Sequence, residues 1–320
     1  MSEAIAEPIY EGMMLPTGLS LPVVQIEEYP DIPADVINET TPQETPEIKA
    51  TPKPEAVIIP VLKSVMSAAQ YHEITKTLAA LVLEARMHIS VLGLKVLAVD
   101  TANVAMVLYD QYAGSFDSFE STTKIDLGVD IAKWMNFGKQ VKKGSLVVFE
   151  VFERQDPPTP DQVTNEKPGT ISHHYTLSSG GSIMSLKGLD CNTIRKDPNP
   201  PTISLPTEML ITAGTFIDAI KTCKTVSDKI EFSYDGKDQL TAIAQGDTDK
   251  MVKQILFDQS IGPAFNSLFS LDYLNDIAKS IQNKKEVLEI GFNTDHPIKI
   301  KMVNSEREIV FLLAPRIQAD

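Results

Sequence analysis

A fourfold repeat of amphipathic segments constrains the fold of this chain more than any single motif does. The segments are "SAAQYHEITKTLAALV" (67–82), "GVDIAKWMNFGKQV" (128–141), "TAGTFIDAIKTCKTV" (212–226) and "SLDYLNDIAKSIQ" (270–282). In each one, large apolar residues recur at the spacing of an α-helix with one buried face. The first and third segments start 145 residues apart, and the second and fourth start 142 apart. This spacing predicts two similar halves with two helices each.

Apolar runs with strand character follow each helical segment. They are "MHISVL", "LKVLAV" and "VAMVLYD"; "LVVFEVFE", "ISHHYTL" and "SIMSL"; "KIEFSY", "QLTAIA" and "MVKQILF"; and "VLEIGF", "PIKIKMV" and "EIVFLL". Consecutive strands joined by hairpins form antiparallel sheets, and each helix has one apolar face to bury. We therefore predict an α+β fold with helices packed on one side of antiparallel sheets.

The distribution of proline and charge predicts the domain organisation. Ten of the 21 prolines lie in the first 60 residues, which carry 11 acidic and 2 basic side chains. Such a stretch does not bury enough apolar surface to offset its ordering entropy. We predict an acidic, proline-rich disordered extension at 1–60, a first domain at 61–186 and a second at 207–320. The proline-rich segment 187–206, "KGLDCNTIRKDPNPPTISLP", is called the connector below because it joins the two.

Composition and motifs exclude several functions. A formal net charge of −14 argues against a protein that coats nucleic acid through bulk charge. Cys191 and Cys223 lack the spacing of a metal site, and the adjacent His173 and His174 point to opposite faces of their strand. No apolar run approaches the length of a membrane span, and the N-terminus lacks the features of a signal peptide. We predict no catalytic residue, no metal site, no cofactor and no membrane contact, in a cytoplasmic protein of an archaeal cell or a nuclear one of a eukaryote.

The hairpin "LKVLAVDTANVAMV", the turn "AQGDTDKM", the helix "SLDYLNDIAKS" and the closing "FLLAPRI" resemble the proliferating cell nuclear antigen family of DNA sliding clamps, in its archaeal form. The similarity extends from about Val61 to Ile317. It implies a homotrimeric ring of two-domain subunits, with sheets outside and four helices lining a central hole for double-stranded DNA. It further implies a processivity factor that docks DNA polymerase, a clamp loader and other replication and repair enzymes, with no catalysis of its own.

Two alternatives stay open at this point. One is a specialised clamp paralogue in a mixed ring, because the extension and the thin basic lining are unusual for a clamp. The other is a two-domain α+β enzyme acting on a small molecule, with Asp100 or the pair His173 and His174 as catalytic groups.

The resemblance places two surfaces on this chain. The DNA-facing residues would be Lys76, Lys133, Lys221, Lys224 and Lys279, with Lys139 and Lys142 as further candidates. The partner-binding groove under the connector would be formed by Val99, Val104, Met106, Leu189, Ile194, Pro297, Ala314 and Pro315. Ring closure is expected along sheet edges near 171–177 and 229–234. Asp100 falls in the turn "VDTANV" beside the groove, where an Asp side chain bonds nearby backbone amides, so we predict a structural role for it.

Overall fold

The computed structural model describes residues 56–157 and 171–317. Nearly all of the predicted extension lies outside these residues. Its last four residues, however, belong to the first strand, which begins at Val57 and pairs residues 57–60 with 152–155 of a neighbouring strand. The first domain therefore begins before the predicted boundary at residue 60. Pro60 favoured an irregular segment, but pairing with the neighbouring strand supplies hydrogen-bond partners for this backbone.

The described residues of the first half form nine strands and two α-helices, with a 3₁₀ turn at Ala113–Ser115. The elements are β1 (Val57–Ser67), α1 (Ala68–Ala79), β2 (Glu84–Ser90), β3 (Gly93–Val99), β4 (Ala105–Tyr112), β5 (Ser118–Ser121), β6 (Ile125–Asp130), α2 (Ile131–Gly138), β7 (Leu146–Gln155), β8 (Ile171–Ser179) and β9 (Ser182–Lys187).

The second half repeats this order. Its elements are β10 (Thr207–Thr212), α3 (Ala213–Lys224), β11 (Lys229–Tyr234), β12 (Leu240–Gln245), β13 (Lys250–Ile255), β14 (Gln259–Ile261), β15 (Phe265–Ser270), α4 (Leu271–Ser280), β16 (Val287–Phe292), β17 (Ile298–Val303) and β18 (Arg307–Leu313). The α+β fold with two similar halves is confirmed, and each half begins with a strand that leads directly into its first helix.

The helices form where their caps and apolar stripes require. The Ser67 hydroxyl accepts the amide of Gln70 at the start of α1, and the Asp130 carboxylate accepts the amide of Lys133 at the start of α2. In α1 and α3 the apolar side chains on the predicted helix faces are buried, Tyr71 and Phe216 among them. α1 packs against α2 and α4, and α4 packs against α3, so the four helices form one layer.

Three antiparallel sheets support this helix layer. The strand orders are β5-β1-β7-β8-β9, β14-β10-β16-β17-β18-β4-β3-β2-β6 and β13-β12-β11-β15. The nine-stranded sheet joins the halves, because β18 pairs with β4 from Arg307 opposite Gln111 to Leu313 opposite Ala105. One continuous sheet therefore crosses the domain boundary.

The predicted ring-closing strands are not at sheet edges. β8 pairs with β7 along almost its whole length and with β9 from His174 onward. β11 pairs with β15 on one side and with β12 on the other. The backbone groups of 174–177 and 229–234 are thus engaged within the subunit, and the expected pairing of these strands with a neighbour is wrong. β9, next to β8, ends the five-stranded sheet, and the four-stranded sheet ends at β15, next to β11, and at β13, two strands from β11.

A buried ion cluster ties the two halves together on the helix side of the sheet. The Arg307 guanidinium on β18 is 3% exposed and contacts the Glu73 carboxylate of α1 at 2.7 Å and the Glu286 carboxylate at 2.9 Å. Burial opposes the charge of Arg307, but the two carboxylates outweigh it and raise the pKa of the guanidinium. In the part of the chain that the structure describes, no helix is long and apolar enough to span a bilayer.

Candidate functional site

The nine-stranded sheet has two different faces near the point where β4 meets β18. Arg307 faces the helix layer, since it contacts Glu73 of α1. Its neighbour Glu308 lines a pocket of about 750 Å³ on the opposite side, called the outer face below. Successive residues of a strand point to opposite faces, so the alternation along β18 separates a helix side from an outer side.

The connector crosses this outer face and is fixed at several points. The Leu189 amide donates to the Gly128 carbonyl of β6 at 2.9 Å. The guanidinium of Arg195 donates to the Asp100 carbonyl at 2.5 Å and to the Asn103 side chain at 2.6 Å. Between these contacts, the connector runs from the edge strand β6 to the hairpin between β3 and β4.

A histidine clamp holds the middle of the connector. His88 on β2 lies between two carboxylates, with Nδ1 2.7 Å from Asp126 of β6 and Nε2 2.7 Å from Asp197 of the connector. Nearby, the guanidinium of Arg86 donates to the carbonyl of Cys191 at 2.6 Å. The sequence alone does not indicate a role for His88, Arg86 or Arg195, because nothing in their local pattern shows which distant residues they contact.

Asp100 organises the turn between β3 and β4. Its carboxylate accepts the amides of Ala102, Val104 and Ala105 at 3.0, 2.7 and 2.8 Å, and the hydroxyl of Tyr273 on α4 at 2.6 Å. Burial works against ionisation, but the hydrogen bonds outweigh it and hold the pKa of Asp100 below its ordinary value. The bond to Asp100, with burial, raises the pKa of Tyr273 to about 12. These contacts support the structural interpretation of Asp100.

Seven of the eight predicted groove residues meet at one corner of the outer face. Val99 is opposite Met106, Met106 is opposite Leu312, and the Ala314 amide continues the ladder by donating to the Val104 carbonyl. Pro297 directly precedes Ile298, which is opposite Leu313, and Pro315 follows Ala314. Ile194 of the connector is 5% exposed, next to Arg195 at the hairpin.

Leu189 lies apart from this corner. It forms an isolated bridge with Gly128 on β6, four strands from β18 in the same sheet. β3, which carries Val99, is two strands from β6, and strands in a sheet are spaced about 4.8 Å apart. Leu189 therefore anchors the connector at the β6 edge of the sheet, apart from the other seven residues.

The pocket on the outer face extends the corner along the strands. Its lining includes Leu108, Val310 and Leu312 of the sheet and residues 200–205 of the connector. None of the eight predicted residues lines it. The run "IVFLL" in β18 could have indicated that this part of the outer face is covered, because apolar residues without alternation are typical of a strand covered on both faces.

The five predicted DNA-facing lysines all lie on the helix layer, but most have polar partners there. Lys133 is 3.3 Å from Asp130, Lys279 is 2.9 Å from Asp276, and Lys224 contacts Asp272. Lys76 donates to the side-chain oxygen of Gln282 at 2.9 Å. Lys221 is exposed and has no carboxylate partner among residues 56–157 and 171–317. Three of the five lysines that the resemblance identified are therefore paired with an aspartate, and two are not.

The further candidates Lys139 and Lys142 follow α2. Lys139 donates to the Asn136 side chain at 2.8 Å, and Lys142 is exposed. Among the residues that the structure describes, no cluster of three or more His, Cys, Asp or Glu side chains is arranged to hold a metal ion.

Comparison with known proteins identifies relatives over most of the chain. No protein-family model matches it. The DNA polymerase sliding clamp of Methanoregula boonei is 36% identical over 266 residues, which cover 81% of this chain and 100% of that protein. The DNA polymerase sliding clamp of Archaeoglobus fulgidus is 29% identical over 261 residues, covering 80% of this chain and 98% of the relative. About a fifth of the chain lies outside these matches.

Two solved structures that resemble this chain in fold are both of PCNA proteins. The structure of A. fulgidus PCNA with the C-terminal region of FEN-1 bound has a TM-score of 0.70 and 27% identity, covering 81% of this chain and 100% of that one. The PCNA of Thermococcus kodakaraensis has a TM-score of 0.66 and 21% identity over 80% of this chain and 100% of that one, and this likeness concerns the fold alone.

Proposed function

The chain belongs to the family of DNA polymerase sliding clamps, and on this premise we propose that three copies close into a ring around duplex DNA and tether DNA polymerase and other replication and repair enzymes to their template. The observation that carries the proposal is the contrast between the faces of the nine-stranded sheet. A continuous layer of four helices covers one side, and a half-buried apolar corner under a fixed connector occupies the other. The protein acts as a scaffold, on the chromosome in the cytoplasm of an archaeal cell.

The ring closes, in this proposal, through β9 of one subunit and β13 of the next. Both strands end their sheets, and both expose apolar side chains: Ile183 of β9 is 72% exposed and Val252 of β13 is 55% exposed. Unpaired edges with exposed apolar residues favour pairing with another chain. Because the two edges differ, the contact is head-to-tail, which is the kind of interface that generates rings.

Partner enzymes dock at the corner of the outer face. A. fulgidus PCNA, a relative of this chain, has the C-terminal region of FEN-1 bound, so a short peptide segment is the expected occupant here also. The corner suits such a segment because Val99, Val104 and Met106 are half-buried and Arg195 holds the connector beside them. Apolar anchors of the peptide would cover these side chains.

The DNA side is formed by the helix layer. Lys76, Lys133, Lys221, Lys224 and Lys279 face the duplex in this proposal, and contacts with phosphate alone leave the clamp free to move along any sequence. The two domains of the subunit are then the strands β1–β9 with α1 and α2, and the strands β10–β18 with α3 and α4.

The proposal is tested by size and by polymerase stimulation. Light scattering should give a mass three times the 35.2 kDa of one chain. On primed circular single-stranded DNA with a clamp loader, the protein should lengthen the products of an archaeal polymerase. A monomer at micromolar concentration, with no effect on product length, would contradict the ring.

A matched pair of variants tests the subunit contact. Ile183→Asp places a carboxylate in the proposed interface, where burying an unpaired charge costs several kcal/mol, so the trimer should dissociate and stimulation should be lost. Ser118→Asp adds the same charge to β5, the opposite edge of the same sheet, and should remain trimeric. If Ile183→Asp also remained a trimer, β9 would not be the contact.

A further inference from the structure

The helix layer of this protein is close to electrically neutral. Together with the cap residue Asp130, the four helices carry five acidic and five basic side chains, counting histidine as neutral. The acidic residues are Glu73, Asp130, Asp218, Asp272 and Asp276, and the basic ones are Lys76, Lys133, Lys221, Lys224 and Lys279. Lys133, Lys224 and Lys279 each contact an aspartate of this layer, so phosphate must compete there with a carboxylate already in place. Lys76 and Lys221 have no carboxylate partner among the described residues. The helices alone are therefore a weak source of attraction for DNA.

Further lysines without a carboxylate partner among the described residues lie in two short turns. The first is "KKGS" at 142–145, which follows α2, and the second is "NKKE" at 283–286, which follows α4. We call them the lysine turns. Lys142, Lys143, Lys284 and Lys285 are all exposed, and in the part of the chain that the structure describes none of the four has a carboxylate partner. The one acidic neighbour, Glu286, is engaged with the buried Arg307.

The two lysine turns occupy equivalent places in the two halves. Each is closed by a bond from its fourth amide to its first carbonyl: Ser145 to Lys142 at 3.1 Å, and Glu286 to Asn283 at 3.2 Å. Each also accepts, through the carbonyl of its fourth residue, the amide of the residue that begins the first helix of its half. These bonds join Ala68 to Ser145 at 2.9 Å and Ala213 to Glu286 at 2.8 Å.

This attachment fixes where the lysines are held. Both turns are joined to the ends of helices in the layer, so their backbones are positioned by the same elements that face the hole of the proposed ring. A turn closed by its own hydrogen bond and tied to a helix is preorganised, which lowers the entropy lost when its side chains meet a ligand. In a trimer there would be six such turns, with twelve lysines.

We propose that the lysine turns are the main phosphate-binding elements of this clamp, and that Lys142, Lys143, Lys284 and Lys285 hold the duplex through its backbone. This assignment rests on the proposed clamp function and names its DNA-binding residues. The neutral helix faces then serve as a surface over which DNA moves with little attraction. The ligand is the sugar-phosphate backbone of double-stranded DNA, without preference for sequence.

The test is the salt dependence of binding to a fluorescent linear duplex, measured with the full-length trimer. The logarithm of the binding constant falls as the logarithm of the salt concentration rises. Each lysine–phosphate contact that is removed should make this slope shallower by about 0.9. We expect K142A/K143A and K284A/K285A each to make the slope shallower by about one unit or more. The quadruple variant should also weaken binding at low salt by at least about tenfold. The charge-preserving variants K142R/K143R and K284R/K285R should restore the wild-type slope.

Two controls separate this inference from the proposed function. K196A/K299A removes two lysines from the connector and the outer face and should leave the slope unchanged. K133A/K279A removes two lysines that already face aspartates and should lower the slope less than either turn variant. If the quadruple variant kept the wild-type slope while K133A/K279A lowered it, the inference would be wrong and the clamp function would stand. If the wild-type trimer neither bound DNA nor stimulated polymerase, the clamp function itself would fail.

Discussion

The two sides of the nine-stranded sheet differ in how their charges are used. On the helix side, charges are paired within the subunit: Arg307 with Glu73 and Glu286, and Lys279 with Asp276. On the outer side, polar side chains fasten the connector, as Arg195 does at the hairpin and His88 does at Asp197. Ion pairs therefore hold the subunit together on one side, and polar contacts position the connector on the other.

This difference indicates where specificity and mobility arise. The outer corner presents half-buried apolar groups in a fixed frame, which suits a partner that must be chosen and retained. The helix side presents compensated charge, which suits a ligand that must be surrounded and still move. The predictions below change one side at a time, beginning with the largest expected effect.

Arg307→Ala should have the largest effect, and it acts on stability. Removing the guanidinium leaves the buried carboxylates of Glu73 and Glu286 without their partner, which costs about 3 to 5 kcal/mol. Urea unfolding should therefore show a midpoint well below that of the wild type. Combining Arg307→Met with Glu73→Gln and Glu286→Gln removes the uncompensated charge and should recover a large part of the loss. Equal stability of Arg307→Ala and the wild type would mean that the cluster does not join the halves.

A carboxylate in the outer corner should have the next largest effect, and it acts on binding. Ile194→Asp or Ala314→Asp puts an unpaired charge where a partner's apolar anchor would sit, at a cost of several kcal/mol. The affinity for a polymerase-derived interaction peptide should fall by about two or more decades. Calorimetric titration measures this, with trimer mass determined in parallel.

Ile194→Val is the matched control for that experiment. It keeps the position apolar, so peptide affinity should change by less than about tenfold. Should both aspartate variants bind the peptide as well as the wild type while remaining trimeric, partners dock elsewhere on the clamp.

Asp100→Asn should cost about 1 to 3 kcal/mol and leave polymerase stimulation largely intact. The amide keeps one acceptor oxygen but turns an NH₂ toward the Ala102 amide and the Tyr273 hydroxyl. Because the folded-state pKa of Asp100 is lowered, its stabilisation is complete above the ordinary aspartate value of about 4 and is lost as the pH falls through the folded value. The loss of stability on acidification should thus be smaller in Asp100→Asn than in the wild type. Loss of all stimulation with unchanged folding would favour a catalytic role for Asp100.

Removing helix lysines should have the smallest effect. Lys133, Lys221 and Lys279 replaced together by Ala should weaken DNA binding and flatten its salt dependence equally for all sequences. Most of that change should come from Lys221, because the other two already face aspartates. The single variant Lys221→Ala is the comparison to make, using the same fluorescent duplex. An unchanged salt slope in the triple variant would show that these helices do not face DNA.

Local pattern predicted the helices and most of the strands. The four amphipathic segments contain α1 to α4, and the twelve apolar runs coincide with twelve strands. Six strands of the described residues were not predicted: β1, β5, β6, β10, β14 and β15. β1, β6, β10 and β15 each run without a turn into the helix that follows, so local pattern does not separate them from that helix or from a linker. β5 and β14 have only four and three residues, too few to show alternation.

The candidate site was predicted only in part. The corner residues were identified by resemblance, and the register of β3, β4, β17 and β18 brings seven of the eight together. Leu189 is separate, and the strands predicted to close the ring, β8 and β11, are not at the ends of their sheets. Whether a strand ends a sheet depends on which strands pair with it, and alternation within the strand does not carry that information.

The sequence by itself determined the four helices, twelve of the strands, their repetition in two halves and the family to which they belong. These follow from apolar periodicity and turn chemistry, which act over a few residues. The tertiary structure alone decided that β4 and β18 join the halves in one sheet and that Arg307 meets Glu73. It also decided that aspartates contact Lys133, Lys224 and Lys279. Those outcomes depend on contacts between residues distant in the chain, where geometry and desolvation select the partners after the local elements have formed.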